Sequence, residues 1–342
     1  MSSSIFSRFL WKCRAVYDIL DVEADYYMRS LCMGLLPMGA DILPPSDDRV
    51  FKLILTDPKA KPGLIKLISA IIGRNVVDVT LYPNEPPAGS VHEKAERLDI
   101  NCKIDDGSQV NLEMQATRLQ EDADGQHKNL KGKGVYYLTD LHSSQPSKGL
   151  QRYDRLPRTY QITFCSYTVF ADQPDYVNSF SLRNDRTGEL LCDAIQIVFV
   201  ELSKLKGLLD KPVDELTVLD KWSLFLQYAP DQKHRGKVNE IIESEEVLQM
   251  AGNLLMSISQ DERERAIFRS RRKFETDYAS DLATAEDRGR NIGRQEGRKE
   301  GKLEGRLEIA RNLIKMGMSS DQISGATGLT GEEVERLHKE AH

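Results

Sequence analysis

The sequence predicts an α/β fold in which helices flank a mixed sheet and a helical extension follows at the C-terminal end. Residues 98–115 have the alternation of a β-hairpin, and two β-rich runs, residues 162–170 and 195–202, lie among segments with helical spacing. Residues 61–72 have the spacing of an amphipathic helix that ends at Gly73, and from about residue 215 to residue 280 the pattern is again helical, with Arg and Glu on the exposed faces. An apolar content of 40% over 342 residues is enough for a sizeable core.

Composition and periodicity divide the chain into segments. We expect an N-terminal helical extension (1–42), an α/β domain (43–212), a helical region (213–285), a glycine-rich repeat (286–308) and a small helical bundle (309–342). No apolar run reaches about 18 residues, which argues against a membrane span. The five cysteines form no C-x-x-C pair, which favours reduced thiols. A cytoplasmic protein without a signal peptide is expected.

The predicted hairpin is the most informative segment because its alternation is strict. The apolar positions are Leu98, Ile100, Cys102, Ile104, Val110, Leu112 and Met114. A three-residue loop at 106–108 keeps them on one face and pairs Ile104 with Val110. In that register Asp99 and Glu113 are diagonal neighbours on the polar face, roughly 7–8 Å apart at Cα.

Two interpretations of Asp99 and Glu113 compete. Acidic residues on a hairpin most often belong to a solvated sheet face. Here, however, Asp is a poor strand residue, and no Lys lies directly opposite either acid in the predicted register. Two carboxylates at this separation can share a divalent cation. The pattern therefore favours a metal site.

With these residues the sequence resembles the PD-(D/E)XK nucleases, whose core is a strand with Asp, a turn, and Glu-x-Lys on the next strand. The variant Leu-Asp-Ile followed by Leu-Glu-Met-Gln is similar to the Rpn family of recombination-promoting nucleases, a transposase-like group. The resemblance covers roughly residues 44–210. The matching segments are 48–52, 94–115, 134–145, 153–170 and 199–204.

The resemblance implies a metal-dependent nuclease with a restriction-endonuclease-like core. Asp99 and Glu113 would hold Mg²⁺ or Mn²⁺, and the backbone carbonyl of Met114 would complete the protein ligands. Gln115 takes the position of the motif's lysine. An amide can orient the attacking water but cannot stabilise its negative charge, so the site would be slower or borrow a cation.

Three further residues are assigned through the same resemblance. Lys94 and Lys52 are the candidates for the borrowed cation, the latter brought by the first helix. Asp48 would be an auxiliary acid. The alternative for Asp48 is that an acidic residue at this place merely interacts favourably with the helix dipole.

A local basic segment follows the hairpin although the net charge of the chain is −6. The sequence between Gln126 and Tyr160 contains seven basic residues and only two acidic ones. Tyrosines are interleaved with them, as in a phosphate-contacting surface. The alternative is a helix and loop that are basic without binding anything. The predicted DNA-contacting residues are Lys52, Lys128, Lys131, Lys133, Arg152, Arg155 and Arg158. Nothing here reads base edges, so low sequence specificity is expected.

The glycine-rich segment is a tetrapeptide repeated five times over residues 289–308. Four residues advance a helix by about 400°, so no residue type forms a fixed stripe. Each Gly disfavours a helix by roughly 1 kcal/mol against Ala. We expect a weak solvated helix or a linker, about 30 Å long if helical. In the alternative, the Gly rows let two helices pack closely in a homodimer.

Beyond the repeat, the sequence predicts three short helices. The first ends at Gly317, capping boxes start at Ser319 and Thr330, and Gly328 lies in the intervening turn. This is a helix-turn-helix-like bundle. Its last helix has more acidic than basic residues, so contact with another protein, or a capping role, is favoured over DNA binding.

The sequence thus predicts a Mg²⁺-dependent DNA endonuclease of low specificity, with a role in recombination implied by the resemblance. Transposition is not implied, because nothing supplies strand transfer or end recognition. Gln115 keeps an alternative open, a catalytically weak or inactive DNA-binding or regulatory protein that retains the fold. An RNA substrate is a third interpretation, since no residue visibly senses a 2′-OH.

Overall fold

A six-stranded mixed sheet is the centre of the structure, a computed structural model that describes residues 34–82, 100–116, 127–145 and 152–340. The chain forms two units, the first ending at Arg265 and the second beginning at Ala266. The sheet lies in the first unit. Among the described helices, none is both long and apolar enough to cross a membrane.

The strands lie in the spatial order β1-β2-β3-β4-β6-β5. Their bounds are β1 Val79–Leu81, β2 Ile100–Ile104, β3 Gln109–Gln115, β4 Thr159–Cys165, β5 Val177–Phe180 and β6 Ile195–Glu201. The three strands β3, β4 and β6 are parallel to one another, whereas β1–β2, β2–β3 and β5–β6 are antiparallel pairs. The mixed α/β class predicted from the sequence is confirmed.

Six α-helices accompany the sheet in the described part of the first unit. They are α1 Asp48–Thr56, α2 Lys61–Ile72, α3 Lys128–Ser143, α4 Val218–Tyr228, α5 Arg235–Ser244 and α6 Glu246–Gln260. The helix α2 has the predicted bounds. It ends at Gly73, whose φ of 67° lies in the left-handed region that glycine adopts most readily.

One face of the sheet is apolar and packs against helices. Phe51 of α1 lies against Phe164 of β4, with ring centroids 5.4 Å apart and both side chains fully buried. Helix α1 in turn contacts α2 and α6. Each such large side chain contributes about 1.5–3 kcal/mol when it leaves water. Burial on this face therefore contributes substantially to the stability of the first unit.

The β2–β3 hairpin has a three-residue loop, but at 105–107 instead of the predicted 106–108. Val110 consequently pairs with Cys102, and the predicted pairing of Ile104 with Val110 is wrong. Both registers keep the apolar residues on one face. Alternation alone could therefore not distinguish them.

The turn chemistry explains the observed register. Gly107 has a φ of 88°, and its amide donates to the carbonyl of Ile104 at 2.9 Å. A glycine in the left-handed region at the third loop position is typical of three-residue hairpins. The side chain of Asp106 also accepts from the amide of Ser108 at 2.9 Å. These local bonds fix the loop one residue earlier than predicted.

The second unit is helical. Helix α7, Glu262–Lys315, begins in the first unit and continues through the second for a total of 54 residues. It contains the whole tetrapeptide repeat, so the helical state among the predicted alternatives is the one observed. Ala310 is the one buried residue of α7.

The end of α7 packs with α8 Ser320–Thr327 and α9 Gly331–Glu340. The small core of this bundle consists of Ala310, Ile323, Leu329, Val334 and Leu337. Both predicted capping boxes are present, at Ser319 and at Thr330. Arg306, in the last copy of the repeat, donates to the carbonyls that end α8, those of Thr327 and Gly328. The repeat thus contributes directly to the bundle.

Candidate active site

The polar face of β3 is buried. Glu113 is 5% exposed and Asn111 1%, which excludes a freely solvated face at these two positions. The neighbouring strand β4 places Gln161 beside Asn111 and Thr163 beside Glu113. The side-chain Nδ2 of Asn111 donates to Gln161 Oε1 at 2.8 Å, and Gln161 Nε2 donates to Thr163 Oγ1 at 3.3 Å. A hydrogen-bonded polar layer therefore lies inside the first unit.

Helix α3 covers this layer and contacts β3, β4 and β6. The helix lies against the sheet at Gly134, where a Cβ would make ordinary van der Waals contact with the ring of Phe199 at 3.6 Å. Near its end, His142 Nδ1 lies 2.9 Å from Thr159 Oγ1, which also accepts from Gln145 at 2.6 Å. Burial lowers the pKa of His142.

The helix also brings a cation to the buried acid. Lys133 Nζ forms an ion pair with Glu113 Oε1, and the ammonium lies 5.4 Å from the centroid of the Tyr137 ring. The Lys133 side chain is 29% exposed and that of Glu113 is 6%. Lys133 was predicted to belong to the DNA-contacting surface. The structure adds a contact with the predicted metal ligand, which the sequence did not reveal because twenty residues separate the two.

Two of the predicted site residues, Asp99 and Lys94, lie outside the described residues. Ile100, which follows Asp99 in the sequence, pairs with Leu112, the residue before Glu113. The predicted diagonal relation of Asp99 and Glu113 belonged to the incorrect register. Their placement on one metal ion remains a prediction.

Met114 and Gln115 follow Glu113 on β3. Met114 is buried on the apolar face, and Gln115 is half-buried on the same face as Glu113. The Gln115 carbonyl accepts from the amide of Ser166 at 3.1 Å, which extends the pairing with the chain after β4. Gln115 therefore lies beside Glu113 on one face of β3, and its catalytic role stays a prediction.

Asp48 and Lys52 lie on α1, which packs on the apolar face of the sheet. The N-cap of α1 is Asp47, and the Asp48 carboxylate accepts from the amide of Arg49 at 2.6 Å. This contact agrees with the alternative in which Asp48 stabilises a helix N-terminus. A role as auxiliary acid stays a prediction.

The atoms around Glu113 suit a hard cation. Asn101 and Asn111 are cross-strand partners, and the Oδ1 atoms of both are buried without a hydrogen-bond partner in the described structure. Carboxylate and amide oxygens are ligands that Mg²⁺ and Mn²⁺ accept. Within the described ranges, no three His, Cys, Asp or Glu side chains form a metal-binding group, but those ranges do not include Asp99.

The predicted DNA-contacting residues differ in their surroundings. Arg152 pairs with Asp154, and Arg158 pairs with Asp193, so both charges are partly neutralised. Lys131 Nζ lies 4.7 Å from the centroid of the Phe170 ring. The exposed members of the set are Lys128, Arg152 and Arg155. The basic surface is thus smaller than the sequence suggested.

Glu201 is a buried acid that was not among the predicted site residues. Its carboxylate is fully buried at the end of β6 and accepts from the amide of Val169 at 2.6 Å and from Lys204 Nζ at 2.7 Å. Burial, followed by the nearby charges of Glu201 and Glu113, raises the pKa of the Cys165 thiol. Glu201 anchors the loop after β4 and thereby supports the polar layer.

Comparison with known families agrees with this geometry. The family described as PD-(D/E)XK nuclease family transposase matches residues 45–285, and the C-terminal HTH domain of the Rpn/YhgA-like nuclease family matches residues 303–339. The first match spans more than half of the chain. Neither the curated proteins nor the solved structures give a significant match. The chain therefore belongs to the PD-(D/E)XK nuclease family transposases and carries the helix-turn-helix domain of the Rpn/YhgA-like nucleases.

Proposed function

We propose that the protein is a metal-dependent endonuclease that hydrolyses phosphodiester bonds in DNA with low sequence specificity. The observation that carries this proposal is the buried carboxylate of Glu113, on the strand where the family motif has its acidic residue. A buried carboxylate is unfavourable by several kcal/mol unless it is paired. Its partner here is Lys133, and a carboxylate among buried polar side chains is a ligand that divalent cations accept.

Asp99, Glu113 and the Met114 carbonyl would hold Mg²⁺ or Mn²⁺. When bound, such an ion lowers the pKa of water and stabilises charge on a phosphate. The half-buried amide of Gln115, next to Glu113 on the same face, can orient the attacking water through its donor and acceptor groups. These residues give the chain the parts needed to position phosphate and water.

DNA is the proposed partner. Exposed Lys128 and Arg155 provide positive surface charge, and the helix-turn-helix match supports nucleic-acid binding. The acidic residues of α9 would keep that domain from reading bases tightly. A role in promoting recombination and a homodimer through the repeat of α7 are parts of the same proposal.

A second candidate function is a DNA-binding protein that does not cleave. The observation that favours it is Gln115, because its amide lacks the charge of the motif's lysine. This candidate predicts DNA binding that is indifferent to Mg²⁺.

The test is plasmid cleavage by the full-length protein with Mg²⁺ or with a chelator. Asp99→Ala and Glu113→Gln are the site variants, and Glu240→Gln on α5 is the control. We expect nicking that requires the metal and falls about 10²–10³-fold in both site variants, equivalent to several kcal/mol of transition-state stabilisation. Glu240→Gln should cleave normally.

Cleavage that survives the chelator or the Glu113→Gln substitution would contradict the proposal. Intact plasmid bound equally by all proteins would favour the non-cleaving alternative. A parallel reaction with labelled single-stranded RNA tests the RNase interpretation. If the protein cleaves the RNA in preference to the plasmid, DNA is not its substrate.

A further inference from the structure

The motif position that normally carries a lysine holds Gln115, yet a lysine from a different element contacts the neighbouring acid. We propose that Lys133 of α3 is a catalytic residue, whose ammonium stabilises the negative charge of the scissile phosphate in place of the missing motif lysine. This inference rests on the nuclease function proposed above.

The position of Lys133 suits this role. A phosphate that shares a divalent ion with Glu113 lies within about 4 Å of that carboxylate, since each Mg–O distance is about 2.1 Å. Lys133 already contacts the same carboxylate, and its side chain is 29% exposed, so substrate can reach it. A charge fixed beside the buried Glu113 acts more strongly than one in bulk water, because the polar side chains around that carboxylate are largely removed from solvent.

The Lys204–Glu201 pair shows what a structural ion pair looks like in this protein. The Lys204 side chain is 11% exposed, and its ammonium donates to Glu201 and to the backbone carbonyls of three loop residues, Phe170, Gln173 and Asp175. Lys133, by contrast, contacts one acceptor among the described residues, Glu113. An ammonium has three N–H donors, so Lys133 keeps donors for a phosphate.

The other lysines considered for this role are less well placed. Lys52 belongs to α1, which packs on the opposite, apolar face of the sheet. Lys131 lies over the Phe170 ring. Lys94 is outside the described residues. Within the described ranges, Lys133 is the lysine that contacts Glu113.

The proposal has a consequence that a purely structural lysine would not have. Glu113 would hold the metal through the same carboxylate that the ammonium of Lys133 contacts, so the lysine and a divalent cation would compete for it. The lysine acts by donating hydrogen bonds and transfers no proton. Its removal should therefore weaken cleavage but strengthen metal binding.

The experiment compares full-length wild type with Lys133→Met, Lys133→Arg and the double variant Lys133→Met/Gln115→Lys. Lys221→Met is the matched control, because Lys221 also forms a largely buried ion pair, with Glu245 at 3.3 Å, on a different helix. Plasmid cleavage at saturating Mn²⁺ and Mn²⁺ affinity by titration calorimetry are measured, and thermal melting confirms folding.

We expect Lys133→Met to cleave about 100-fold more slowly, a typical loss for one preorganised donor. It should bind Mn²⁺ severalfold more tightly than wild type. Lys133→Arg should retain part of the activity because it keeps the charge. The double variant should regain activity, since it returns a lysine to the motif position. Lys221→Met should match wild type in both cleavage and metal affinity.

Lys133→Met that cleaves at the wild-type rate would overturn the inference and leave the nuclease function standing. Weaker Mn²⁺ binding in Lys133→Met would also overturn it, because that result means the lysine only holds Glu113 in place. A wild-type protein that never cleaves would instead overturn the nuclease function itself.

Discussion

Phe164 in the sheet and Phe274 in helix α7 are the same residue type in opposite surroundings. Phe164 is fully buried, and its ring centroid lies 5.4 Å from that of Phe51. Phe274 is 71% exposed and stacks on Tyr278, one helical turn away. The first unit is stabilised by contacts between residues distant in sequence, whereas most of α7 depends on its own backbone hydrogen bonds.

This contrast indicates where the protein tolerates amino-acid substitutions. In the first unit the polar layer around Glu113 lies between the packed sheet and α3. A substitution that displaces a packed side chain there should therefore also displace residues of the candidate site. Along α7 a side chain has few neighbours to disturb. The same substitution in the two regions should therefore have different effects, and pairs of matched variants can test this.

The largest difference is expected for the two phenylalanines. Phe164→Ala should lower the free energy of unfolding by about 3–5 kcal/mol, through lost burial and the cavity that remains. Phe274→Ala should change it by less than about 0.5 kcal/mol, as is usual at exposed positions. Urea unfolding followed by far-UV circular dichroism measures both. An equal loss in the two variants would contradict the comparison.

The end of α7 should be sensitive to substitution, unlike the rest of the helix, because the repeat packs into the bundle there. Arg306→Met removes both bonds to the carbonyls that end α8 and should destabilise the bundle by about 1–3 kcal/mol. Arg298→Met, at the same position two repeats earlier, should have almost no effect. Hydrogen exchange of the amides in α8 and α9 reports the loss, and equal exchange in both variants would refute it.

Two glycines should respond with opposite signs. Gly297→Ala in α7 meets nothing within 4 Å and should stabilise the helix by about 1 kcal/mol. Gly63→Ala in α2 places a Cβ 3.0 Å from the ring of fully buried Trp222 and should destabilise the first unit. Thermal melting by circular dichroism checks both. Stabilisation by Gly63→Ala would show that the ring can move.

The smallest effect concerns pH. Because burial lowers the pKa of His142 in the folded state, the unfolded chain takes up this proton first as the pH falls. Stability should therefore decline below the unfolded pKa of about 6.5. His142→Gln should flatten this decline between about pH 7 and 5. The urea midpoint of unfolding, measured at several pH values across that range, checks this. An equally steep decline of the midpoint in His142→Gln would disprove the assignment.

Local chemistry accounts for the features of the fold that the sequence predicted well. Gly73 ends α2 and the capping box at Ser319 begins α8, as expected from interactions within one turn of the chain. The hairpin was predicted with its loop length but not its register, because alternation is satisfied by both registers and the glycine position decides between them.

The sequence by itself determined the α/β class and the helix-turn-helix bundle, and it predicts Glu113 as the acidic position and Gln115 in place of the motif lysine. These depend on periodicity, capping and motif spacing, all of which act over a few residues. Only the tertiary structure decided that Lys133 contacts Glu113 and that Arg306 holds the end of α8. Both contacts join separate elements, and their partners are set by how helices pack, which local patterns do not specify.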